Sequence, residues 1–189
     1  MRKTVLAACV AALLVFGTAG AFAAGEVKST TFPWMASFDQ PGQLNLNVSA
    51  GFYGLGIDVN VGPEFIIGKF DIAGIPLSWG ATVRGLVGFS SFFGVSWIDW
   101  AAAPMVTLHW GVDFGAPWKF DWYVGAGLSI SGTTGTYYST LGLAQGAVGF
   151  GFASADGVAW HFSNNIALLA EYAYTPYVST AGVGVKFAL

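Results

Sequence analysis

The sequence predicts an all-β chain: an eight-stranded antiparallel up-and-down transmembrane β-barrel. Three observations carry the prediction. The last two dozen residues alternate, with Ile166, Leu168, Ala170, Tyr172 and Tyr174 set against Ala167, Leu169, Glu171, Ala173 and Thr175, and then Val183, Val185, Phe187 and Leu189 against Gly184, Lys186 and Ala188. A period of two running to the final residue describes strands with one greasy face. Hydrophobic residues make up 54% of the chain and charged ones 9%, yet after residue 23 no apolar run reaches the roughly 20 residues of a spanning helix. That combination is what alternation in a membrane barrel produces. Finally, Arg2 and Lys3 precede an apolar run from Val5 to Phe16 and an A-x-A site at Ala21-Phe22-Ala23, the pattern of a secretory signal peptide.

Residues 1–23 are therefore expected to be the signal, 24–42 a periplasmic N-terminal lead and 43–189 the barrel. Leu6-Ala7-Ala8-Cys9 has the form of a lipoprotein acylation site, but Cys9 follows Lys3 too soon for an h-region of about 7–15 residues. Cleavage after Ala23 leaves no cysteine, which excludes thiol chemistry. Without Arg2 and Lys3, five basic residues face ten acidic ones, so nucleic acid is not an expected partner. A soluble sandwich or lipocalin-like barrel also alternates, but it turns its greasy face inward and needs a charged exterior. So few charges cannot supply one.

The strands follow in order. Gln43 opens the first, with Leu44, Leu46, Val48, Ala50 and Phe52 on one face and Asn45, Asn47 and Ser49 on the other. Gly54 to Gly56 turns the chain into Ile57, Val59, Val61, Pro63, Phe65 and Ile67, alternating with Asp58, Asn60, Gly62 and Glu64. A third strand spans about 77–89, with Trp79, Ala81, Val83 and Val87 outward and Ser78, Thr82 and Arg84 inward. A loop is expected over Ser90–Ser96. In the fourth strand Trp100, Val106, Leu108, Trp110, Val112 and Phe114 point outward, leaving Met105, Thr107, His109, Gly111 and Asp113 inside. Gly115-Ala116-Pro117 turns into a fifth strand, with Phe120, Trp122, Val124, Ala126, Leu128 and Ile130 outward. The longest loop is expected from Gly132 to Gln145. A sixth strand begins near Ala147, with a bulge expected at Ala155-Asp156-Gly157, and Ser163-Asn164-Asn165 is a polar turn into the closing pair. Pro63 and Pro104 fall inside strands, where proline removes a ladder donor and marks bulges or strand ends.

Eight strands place both barrel ends on the periplasmic side. On that count Trp79, Trp110, Trp122, Trp160 and Phe187 fall toward the periplasmic rim and Trp100, Tyr172 and Tyr174 toward the opposite one, as two aromatic girdles require.

Residues 43–189 resemble the small eight-stranded outer-membrane barrels, the group of the OmpA transmembrane domain, OmpX and OmpW-like proteins. The likeness rests on the stretch from Val158 through Trp160-His161-Phe162-Ser163-Asn164-Asn165-Ile166 to Ala170-Glu171-Tyr172, and on Val183, Val185, Phe187 and Leu189. The last four look like the C-terminal signal read by the barrel-assembly machinery, though that signal usually ends in an aromatic residue. The resemblance implies outer-membrane lipid as surroundings and assigns no activity.

Inward polar residues are Asp58, Glu64, Arg84, His109, Asp113, Asp121, Glu171 and Lys186. An eight-stranded barrel is only wide enough for side chains to fill it, so these charges must pair or hold water. Arg84 and Lys186 are expected to serve Glu171 and Glu64, with Asp113 near Lys119. A polar plug follows, and with it a structural or surface-interaction role without catalysis. Ser90–Ser96 and 132–145 are the candidate surface-ligand segments, with Tyr137, Tyr138 and Leu141 contacting lipopolysaccharide, a host surface or a neighbouring barrel. A narrow channel for ions or small hydrophobic compounds is the alternative. His161-Phe162-Ser163 with Glu171 superficially matches a lipid A deacylase, but that chemistry needs all three groups in hydrogen-bonding reach. No cofactor or metal site is expected, because His109 and His161 lie on different strands without cysteine.

Overall fold

The computed structural model describes residues 26–53, 56–93, 95–135 and 146–189. Two short strands, β1 (Val27–Lys28) and β2 (Met35–Ser37), precede eight long ones: β3 (Leu44–Tyr53), β4 (Gly56–Ile72), β5 (Ile75–Phe92), β6 (Val95–Asp113), β7 (Lys119–Gly135), β8 (Gly146–His161), β9 (Ile166–Tyr174) and β10 (Ser179–Ala188). Each of the eight pairs antiparallel with the next, and β10 returns to β3. The sheet closes into a barrel without edges, the arrangement that satisfies backbone polar groups in lipid.

The register gives the geometry of closure. The ladder from Trp110 runs through Trp122, Val158, Ala170, Val183, Ala50, Val59 and Val87 and returns to β6 at Trp100, ten residues away. With a rise of about 3.3 Å per residue and strands about 4.8 Å apart, that shear over eight strands tilts them by about 40° from the barrel axis. The ten residues between Trp110 and Trp100 then span about 25 Å of height, the thickness of an outer-membrane apolar band.

The outer wall follows from alternation. Ile57, Val59, Val61, Phe65, Val83, Val87, Phe89, Val106, Val124 and Leu128 are exposed, whereas Asn60, Glu64, Thr82, Arg84, Thr107, His109 and Asp121 are buried. The greasy face is therefore outside, the reverse of a soluble barrel.

Several expectations are corrected. Residues 90–96 are mostly strand, since β5 runs to Phe92 and β6 starts at Val95. Strand β7 likewise continues through Gly135, so residues 132–135 of the expected loop are strand, and 136–145 lie outside the described residues. The signal, Tyr137, Tyr138 and Leu141 lie outside the described residues. No bulge interrupts Ala155-Asp156-Gly157, whose pairing with both neighbours is continuous. The register shift lies instead in β4, between Ile66 and Gly68. Pro63 and Pro104 end no strand: both sit mid-strand on the outer face, and beside each the ladder skips two residues and resumes in the same register. A missing donor costs one local pairing and leaves the strand running.

Residues 26–42 do more than lead in. Strand β2 pairs with β6 at Met35–Val112 and Ala36–Gly111, just beyond the last β5–β6 partners, Leu77 and Trp110. The segment then turns inward, where Ala36, Ser37, Phe38 and Asp39 are buried.

Candidate functional site

The lumen is filled in two tiers. In the outer tier Arg84 Nη1 lies 3.0 Å from Glu171 Oε2. Glu171 also accepts from Ser49 Oγ at 2.5 Å, from Asn60 Nδ2 at 2.6 Å and from the Tyr123 hydroxyl. The Arg84 guanidinium carbon stands 5.4 Å from the Tyr123 ring centre, within cation–π range. Glycine makes room for these large groups. A Cβ on Gly62 would come within 2.4 Å of Arg84 Cδ, and one on Gly157 within 2.8 Å of Tyr123 Cε1.

The inner tier centres on His109 and Lys186. His109 Nε2 lies 2.9 Å from Glu64 Oε1, and its Nδ1 is 3.3 Å from both Asp39 and Asp121. Thr107 donates to the same Glu64 oxygen at 2.5 Å. The Lys186 ammonium sits 2.8 Å from Asp121 and 3.0 Å from Asp39. Asp39 further accepts from Asn45 Nδ2 at 3.0 Å and Gln43 Nε2 at 3.3 Å. Tyr123 joins the tiers, its ring stacked 5.5 Å from His109 and its hydroxyl on Glu171.

The expected partner of Lys186 is therefore corrected. Glu64 is taken by His109 and Thr107, and Lys186 by Asp39 and Asp121. Asp113 lies 3.8 Å from Lys119 but 2.6 Å from Lys28. That hydrogen bond to Asp113, with the charge of Glu26, holds the Lys28 ammonium above the ordinary lysine range. Asp39, in an aperiodic segment, escaped the sequence reading; nothing in its local pattern marks it as inward. Asp39, His109 and Asp121 place candidate ligand atoms within 4.8 Å of one another, but the Lys186 ammonium already supplies a cation between the two carboxylates.

Both mouths are narrowed. At the end where the barrel begins and ends, Phe38 covers Gly111 and stacks 5.0 Å from His161. At the outer end residues 175–178 form a turn in which Thr175 N donates to Val178 O at 2.8 Å. Pro176 leans over Gly151 and Tyr177 over Gly149.

The three groups of the hydrolase reading are each engaged elsewhere. His161 stacks on Phe38, Ser163 Oγ accepts the Ile166 amide at 3.0 Å within its turn, and Glu171 belongs to the outer tier. The geometry brings no such triad together.

Along the tilted ladder, Trp79, Trp110, Trp122, Trp160 and Phe187 fall within about 3 Å of one level. Trp100 and Tyr174 lie about 25 and 19 Å above Trp110, and Tyr172 only about 14 Å. The C-terminal residues Val183, Val185 and Phe187 lie outward on β10, and Leu189 N donates to Leu44 O at 2.8 Å.

No family model and no curated protein matches the sequence. Among solved structures the chain is similar to the attachment invasion locus protein Ail of Yersinia pestis, in a complex with the heparin analogue sucrose octasulfate. That match has a TM-score of 0.50 and 10% identity, over 78% of this chain and 97% of Ail. A designed transmembrane β-barrel matches at TM-score 0.47 and 16% identity, over 80% of this chain and 98% of the design. Neisserial surface protein A matches at 0.43 and 16%, over 77% and 94%. With the closed eight-strand ladder, the likeness to Ail shows that the chain has the fold of the small transmembrane β-barrels.

Proposed function

We propose that this chain is an integral outer-membrane barrel, exported with cleavage after Ala23 and inserted by the barrel-assembly machinery, whose closed lumen leaves it a structural and surface-interaction role without catalysis. The observation that carries this reading is the inverted polarity of the wall: apolar side chains outside, and inside two tiers of paired charge. The aromatic level at Trp79, Trp110, Trp122, Trp160 and Phe187 supports a lipid boundary there, with Trp100 and Tyr174 near the outer one.

The surface role falls on the tip of the β5–β6 hairpin, inside the candidate segment 90–96. Phe93 is 90% exposed, with its ring 4.2 Å from that of Phe92, and its φ of 48° is a left-handed conformation costly for a bulky residue. An aromatic pair held out in a strained turn suits an apolar contact. The Ail ligand is a sulfated sugar, but here the seven basic residues are Arg2, Lys3, Lys28, Lys69, Arg84, Lys119 and Lys186, none of them in an outer connection. A polyanion would find no cation there. The expected surface partner is an apolar protein or lipid surface.

The test is fractionation of expressing cells, followed by surface binding with the wild type and Phe93→Ser. Recovery in the outer membrane as a heat-modifiable band, with binding lost in the variant, is expected. Recovery in a soluble fraction contradicts the membrane reading, and unchanged binding by Phe93→Ser contradicts the assignment to the hairpin tip.

A further inference from the structure

Among the described residues the outer wall carries one polar patch. Ser154, Asp156, Tyr172, Tyr174 and Ser179 all face outward on three adjacent strands, where Ser154 pairs with Tyr174, Tyr174 with Ser179, and Asp156 with Tyr172. Asp156 and both tyrosines are exposed. Among the described residues, Asp156 is the one charged side chain facing outward between the two aromatic levels. Along the ladder it stands about 11 Å above Trp110, near the middle of the ~25 Å band. The patch climbs from there to the outer rim at Ser179.

A carboxylate facing acyl chains has no donor to meet it, and a charge on the lipid face at this depth is unfavourable. Beside it the wall is hollow. A recess of about 670 Å³ runs past Trp122, Asp156 and Tyr172 over the small residues Ala50, Ala170 and Ala181. Donors and acceptor lie side by side on adjacent strands.

The geometry points to this face as the contact between two copies of the chain, related by a two-fold axis along the membrane normal. The inference rests on the membrane reading above. A second copy is the occupant the chemistry favours because the patch already contains both halves of the interaction. Tyrosine and serine hydroxyls donate, Asp156 accepts, and an isologous interface needs such self-complementarity. An axis passing between the Asp156 and Tyr172 columns sets each carboxylate against Tyr172 of the other copy rather than against its like. Interhelical polar contacts in lipid work through the same preference for a bonded over an unbonded polar group.

The experiment is stepwise photobleaching of singly labelled protein in planar bilayers, with heat-modifiability as the check on folding and insertion. Two-step traces are expected for the wild type. Asp156→Leu, which removes the acceptor and suits lipid better, and Tyr172→Phe, which removes a donor, should each stay heat-modifiable and raise the dimer dissociation constant about tenfold or more. An inserted, heat-modifiable wild type that bleaches in one step at every protein-to-lipid ratio overturns the interface while leaving the membrane reading intact. Dimers unaffected by both substitutions also overturn it. Protein that does not insert overturns both.

Discussion

Arg84 is held by its surroundings as much as by Glu171. Its guanidinium lies against Tyr123 and its stem across Gly62, and Glu171 is in turn shared with Ser49, Asn60 and Tyr123. Removing one member of such a buried pair leaves the other charge uncompensated, which typically costs about 3–5 kcal/mol. Arg84→Ala should therefore lower unfolding stability in bilayers by about that amount, measured by denaturant titration, and Arg84→Ala with Glu171→Ala should recover part of it. Tyr123→Phe, which keeps the ring but loses the hydroxyl on Glu171, should cost less, about 1–3 kcal/mol. A double variant no more stable than Arg84→Ala alone would contradict the coupling. Arg84 and Glu171 were legible as inward from strand parity. Their partnership needed the register, because Glu171 lies 87 positions further along the chain and no local spacing connects them.

At the scale of elements, the β4–β5 hairpin is closed by Ala73 and Gly74, with φ of 54° and 85°. Two left-handed residues in a two-residue loop form the turn whose twist matches the strands, and Gly74 N is fixed by Asp71 Oδ1 at 2.7 Å. Alanine is a poor occupant of that conformation, whereas asparagine adopts it readily. Ala73→Asn should raise stability by about 0.5–1 kcal/mol; a fall in the unfolding midpoint would speak against the turn assignment. The long strands were readable because alternation over ten residues is hard to mistake. The three residues of β2 are too few to show a period, so the inserted lead and Asp39 stayed hidden. In β4, Phe65-Ile66-Ile67 breaks the alternation and marks the actual bulge. In β8, Ser154 and Asp156 fall on the greasy side, within and beside the stretch Ala155-Asp156-Gly157 where the sequence predicts a bulge. The continuous register leaves them outward.

For the molecule as a whole, closure with a ten-residue shift determines which side chains share a level. That number cannot be read from any strand alone. It brings the five lower aromatics to one height, lowers Tyr172 toward the middle of the wall and leaves Asp156 facing outward between the levels. It also makes the lumen a stack: the Phe38 and Asp39 insertion below, the His109–Lys186 tier, the Arg84–Glu171 tier, and Pro176 and Tyr177 over the outer glycines. The lead contributes one carboxylate to that stack. Asp39→Asn should leave Lys186 with Asp121 alone and destabilise the barrel by about 1–3 kcal/mol, read from the same denaturant titrations.

The central claim is that this stack closes the barrel, and single-channel recording of the refolded protein in planar bilayers tests it most directly. The wild type is expected to be silent or to show rare small openings, and Arg84→Ala with Glu171→Ala to open more often and more widely. Steady conductance through the wild-type protein, unchanged by that pair of substitutions, would contradict a lumen closed by its own side chains.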